Sequence, residues 1–95
     1  MSREEFKESA KKRIDDIFEK IDDLEGKKDK VVGNLKEEYQ EKLDDLKKKK
    51  DEVVAKFDEL EDVGEEKWEE VKEAFSSASD DFKEGFSKII GAFRS

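Results

Sequence analysis

The sequence predicts an all-α fold of long amphipathic helices, a helical hairpin or coiled-coil bundle that oligomerises. Three observations carry this. The 95 residues contain no proline and only five glycines, so helix is permitted over most of the length. Apolar residues recur every three or four positions from Ile14 to Phe93, the period of one helix face. Acidic residues stand four before lysines at eight places, among them Asp16/Lys20, Glu52/Lys56 and Glu84/Lys88. Pairs in that orientation support a helix by about 0.2 to 0.5 kcal/mol each.

The first helix is expected from about residue 3. Ser2 and Glu5 have the spacing of a capping box, and Glu4 and Glu5 fall in the first turn, where the helix dipole favours negative charge. The apolar seam then runs through Ile14, Ile17, Ile21, Leu24, Lys28, Val31, Leu35, Tyr39, Leu43, Leu46, Lys50, Val53, Phe57 and Leu60. It continues through Gly64 and Trp68 to Phe93, making 22 steps over 79 residues, about 3.6 per step. Eleven-residue spacings at Leu35 to Leu46, Leu60 to Val71 and Ala78 to Ile89 are stutters, which unwind a left-handed supercoil locally.

Two places can interrupt the helix. Gly64 occupies a seam position without a side chain, and Asp62 with Glu65 repeats the capping-box spacing. The single domain, residues 1–95, is therefore expected as a helix over about 3–61, a break near 62–64 and a helix over about 65–93. Gly26 and Gly33 mark a weaker, additional break at 26–33, across which the seam keeps its phase.

A continuous rod of this length would extend about 140 Å with its apolar stripe in water. The stripe needs a cover, either from the C-terminal helix folding back or from other chains. Because each helix is apolar over only a narrow width, a homo-oligomer is expected in both cases. The stripe is thickest at the C-terminal end, where Trp68, Val71, Phe75, Phe82, Phe86, Ile89, Ile90 and Phe93 fall within about 120 degrees of a helical wheel. These residues form the candidate association face. An alternative use of the same face is weak contact with a membrane surface, since Phe75 to Ser95 balances three acids against three bases and carries serines opposite bulky apolar groups.

Composition narrows the chemistry. With 21 Lys and Arg against 29 Asp and Glu, the net charge is -8, and a nucleic acid backbone would be repelled on average. The run Lys47 to Lys50 is framed by Asp44, Asp45, Asp51 and Glu52 and reads as a self-neutralised, solvated surface. Histidine is absent, which removes the usual general base and the commonest neutral metal ligand. In IDDLEGKKDKVV, placing Gly26 at the sixth position of a calcium loop puts Ile21 and Val32 where acids are required. No catalytic, cofactor-binding or metal-binding residue is assigned, and Tyr39 and Trp68 read as packing groups. No cysteine, no apolar leader and no run long enough to span a bilayer are present, so a cytoplasmic protein is expected.

The motifs Glu38-Tyr39-Gln40, Leu43 to Lys50, Glu59 to Asp62 and Glu66-Lys67-Trp68-Glu69-Glu70 lie in order along the second part of the chain. On these, residues 36 to 93 resemble a family of small bacterial coiled-coil proteins often labelled as a stress-response family. The resemblance implies a link to stress and carries no assigned activity or site residues; residues 1 to 34 depart from its pattern. The expected function is non-enzymatic: a structural or interaction protein, a self-associating cytoplasmic coiled coil linked to the stress response. The alternative is a peripheral membrane-surface or hydration-stress protectant that uses the C-terminal amphipathic helix. A helical protein partner lying in the seam is a third use of the same surface.

Overall fold

Helix α1 spans Arg3–Lys27 in the computed structural model, which describes residues 2–93. Ser2 caps it as expected, its hydroxyl accepting the Glu5 amide at 3.1 Å. The buried face carries Phe6, Ala10, Ile14, Ile17, Ile21 and Leu24, every step three or four residues, so the helix turns one stripe inward.

The expected continuous helix over 3–61 is interrupted. After Lys27 the chain makes a 3₁₀ turn at Lys28–Lys30, extends through Val31 and Val32, and makes a second 3₁₀ turn at Gly33–Leu35. The break falls where Gly26 and Gly33 had marked the weaker site, and it reverses the chain. Seam phase gave no warning because Lys28, Val31 and Leu35 keep the spacing while sitting outside any α-helix; Lys28 is exposed and the other two are half-buried. Reversal here lets a short helix lay its stripe against another, whereas a longer rod would leave it wet.

Helix α2 spans Lys36–Asp62 and buries Tyr39, Leu43, Leu46, Val53 and Leu60. The second break lies at Val63 to Lys67, next to the expected 62–64: Val63 and Gly64 are extended and Glu65–Lys67 form a 3₁₀ turn. Asp62 does not cap the following helix. The turn is closed instead by the Lys67 amide donating to the Gly64 carbonyl at 3.2 Å. Helix α3 then spans Trp68–Ala92 and buries Trp68, Phe75, Ala78, Ser79, Phe82 and Ile89.

The helices form an up-down-up bundle with extents of 51 × 18 × 17 Å. Arg3 at the start of α1 reaches Val63 at the end of α2, while Tyr39 at the start of α2 reaches Leu24 at the end of α1, which makes this pair antiparallel. Phe6 lies against Trp68 and Phe75, so α1 and α3 run parallel. One apolar cluster threads all three. The cover that the sequence assigned in part to other copies is thus supplied for the main stripe within one chain.

Helices α2 and α3 are the most closely packed pair, and Gly85 lies in their contact against the Leu46 and Lys49 side chains. A Cβ at this position would stand 2.9 Å from Leu46 Cδ1, and Leu46 is only 2% exposed, leaving it little room to yield. Gly26, by contrast, faces open space and has no positive φ. Gly26→Ala should raise the unfolding free energy by about 0.5–1 kcal/mol. Gly85→Ala should give none of that gain in the same urea titration. Phe82, at 0% exposure, should cost about 3–5 kcal/mol on conversion to Ala, with a thermal midpoint shift that is the same at low and high protein concentration, because one chain builds its surroundings.

Candidate functional site

The candidate association face divides by burial. Trp68, Phe75, Phe82 and Ile89 lie inside the bundle, while Val71, Phe86, Ile90 and Phe93 are half-buried against its edge. Phe75 is enclosed by Phe6 from α1 and Phe57 from α2, with ring centroids 6.0 and 6.3 Å away. These edge-on contacts are the geometry that aromatic quadrupoles favour. Phe86 is capped by Lys20, whose ammonium stands 5.6 Å from its ring centroid. Phe6 and Ala10, which complete this core from α1, were not on the sequence-derived seam. Stepping back from Ile14 by four and four again would have found them.

Two ends of different character result. At the α2–α3 turn, residues 58 to 73 carry nine carboxylates and two lysines, and a shallow depression there is lined by Asp58, Glu59, Asp62 and Glu70 around Val63 and Val71. Arg3 ties this end together: its guanidinium donates to the Val63 carbonyl at 2.6 Å and lies 4.6 Å from the Trp68 ring centroid. At the α1–α2 link, residues 27 to 36 carry four lysines and one aspartate, flanked by Glu25, Glu37 and Glu38, so the lysines stand in a nearly balanced end.

The lysine-rich end is fastened by two polar contacts that sequence reasoning missed. The Tyr39 hydroxyl donates to the Leu24 carbonyl at 2.6 Å, joining the last turn of α1 to the first of α2. Tyr39 is 3% exposed; burial, reinforced by the Glu25 charge, raises its pKa above the ordinary 10.0, so it remains a neutral donor. Lys47 pairs with Glu25 across the same two helices. The Lys47 hydrogen bond holds the Glu25 carboxyl below the usual 4.5, against a smaller opposing effect of burial.

The lysine run is therefore more than a solvated surface. Lys47 reaches α1, Lys50 lies 3.3 Å from Asp51 and 5.6 Å from the Phe18 ring centroid, and only Lys48 of the four is fully exposed. Long stems cover apolar surface while their ammonium groups stay wet. Of the eight expected i,i+4 pairs, Asp16/Lys20 and Glu84/Lys88 are closed as ion pairs.

The chain matches no protein-family model, no curated protein and no solved structure. What the geometry offers is a packed apolar interior, two helix-joining polar clasps, one strongly acidic end and one end where lysines cluster among balancing acids.

Because the Glu25 pKa is lower folded than unfolded, its stabilising effect is present above about pH 4.5 and disappears as pH falls through the depressed value. Glu25→Gln should therefore be less stable than the parent at pH 7, and the gap between the two should close as pH falls below 4.5 and through the depressed Glu25 value. Chemical denaturation at a series of pH values measures it; a gap that does not change with pH contradicts the clasp.

Proposed function

We propose that this protein acts by association rather than by catalysis: a cytoplasmic, non-enzymatic interaction protein that folds alone, meets further copies of itself through its surface, and serves the stress role that its family resemblance implies. The observation that supports this reading is the way one chain spends its apolar stripe internally while leaving the lysine-rich and carboxylate-rich ends of a 51 Å body exposed. Lysines of the link in one copy can meet the carboxylates at the far end of the next, a heterologous head-to-tail contact that extends rather than closes unless its rotation makes a ring.

The strength of that contact is limited by geometry. An end measuring 18 × 17 Å presents far less than the roughly 800 Å² per partner of a stable interface. Association is accordingly weak, and it depends on ionic strength because exposed charges are screened within about 8 to 10 Å at moderate salt.

Sedimentation at rising protein concentration tests the reading. The average mass should climb above 11.1 kDa at low salt, fall back on addition of salt, and stay low for a Lys28→Glu/Lys36→Glu variant whose helix content is unchanged. A mass that stays at the single-chain value under every condition contradicts self-association.

A further inference from the structure

At the lysine-rich end, the last turn of α3 and the α1–α2 link enclose a half-open cleft of about 380 Å³, within the range of small-molecule sites. Leu24, Val31, Ile89, Ile90 and Phe93 supply apolar walls, and Tyr39 closes one side with its ring 5.1 Å from that of Phe93. The Tyr39 hydroxyl is already spent on Leu24, so the interior is apolar in effect. Val31, Ile90 and Phe93 remain half-buried, an area that water covers poorly.

The rim has one sign. Among the described residues, Lys27 and Lys30 line the cleft, no carboxylate does, and neither lysine is ion-paired. Of the neighbouring acids, Asp23, Glu37 and Glu38 are exposed and outside the cleft lining. Glu25 is held by Lys47 and lies 3.8 Å from Lys28, and Asp29 stands exposed between two lysines. Lys27 also offsets the negative end of the α1 dipole. In a chain of net charge -8, an apolar cleft whose described charged rim is Lys27 and Lys30 suits a ligand with an anionic head and a hydrocarbon tail. The acidic far end interferes little, because it lies several screening lengths away.

We propose that this cleft binds a monomeric anionic amphiphile, with its head between Lys27 and Lys30 and its alkyl tail against Ile89, Ile90 and Phe93. This goes beyond the association reading and does not depend on it, since the cleft belongs to one chain.

Calorimetric titration with decanoate below its micelle concentration tests the proposal, with amide NMR shifts to place the ligand. Saturable one-to-one binding is expected, with shifts at Leu24, Val31 and Ile90 and none at Trp68. Each buried methylene is worth about fourfold in affinity, so hexanoate should bind at least tenfold more weakly. Lys27→Gln/Lys30→Gln should also weaken binding at least tenfold with unchanged far-ultraviolet dichroism, while Lys11→Gln/Lys12→Gln, at exposed positions in the middle of α1, should leave it unaltered. Equal binding of decyltrimethylammonium, unchanged affinity in the Lys27/Lys30 variant, or no saturable binding of decanoate overturns the proposal. Phosphatidylglycerol vesicles form a separate arm: capture of the protein by vesicles more tightly than by decanoate would move the anionic head to a bilayer and overturn the monomeric ligand.

Discussion

A polypeptide with 33% hydrophobic residues and 53% charged ones can fold only if most of its large apolar side chains are buried, and among the described residues Phe18 and Val32 are the large ones left exposed. In this chain the apolar residues form a ribbon that widens to about 120 degrees on α3, beyond what one neighbouring helix can cover by itself. Three helices around a common axis can, because each ribbon then faces two others. The rest of the architecture follows from that need. It sets the helix lengths at 25, 27 and 25 residues, requires two reversals, and puts the largest fully buried side chains, Phe75 and Phe82, at 0% exposure in the shared cluster.

Polar contacts then close the ends of the cylinder, where hydrophobic packing runs out. Tyr39 and the Glu25/Lys47 pair join α1 to α2 at one end, while Arg3 joins α1 to the α2–α3 turn at the other. Hydrogen bonds of this kind contribute modestly, about 0.5 to 1.5 kcal/mol each. Their larger effect is directional: they determine which helix ends meet. Most surface charges contribute little to stability, and their arrangement matters instead for what the two ends attract.

The C-terminal stripe shows how one pattern can serve competing roles. Its most apolar members, Phe75, Phe82 and Ile89, are withdrawn into the bundle, so they could reach another surface only if α3 left its partners. The edge residues Ile90 and Phe93 stay partly accessible and form the mouth of the cleft beside Lys27 and Lys30. No described helix is long and apolar enough to cross a membrane.

The sequence by itself determined the helical class, the Ser2 cap, the seam positions from Ile14 to Leu24 and from Tyr39 to Ile89, and the break at Gly64. Each of these is local: a cap, a period or a missing side chain acts within a few residues. The reversal at residues 28 to 35 was decided by tertiary structure, because spacing across a short link can keep phase whether the chain continues or turns back. Tertiary structure also decided that α1 supplies Phe6 and Ala10 to the face of α3, that Lys47 answers Glu25, and that two lysines of the link rim a cleft walled by the last turn of α3. These are meetings between residues distant in sequence, and only the burial of a ribbon too narrow to stay in water brings them together.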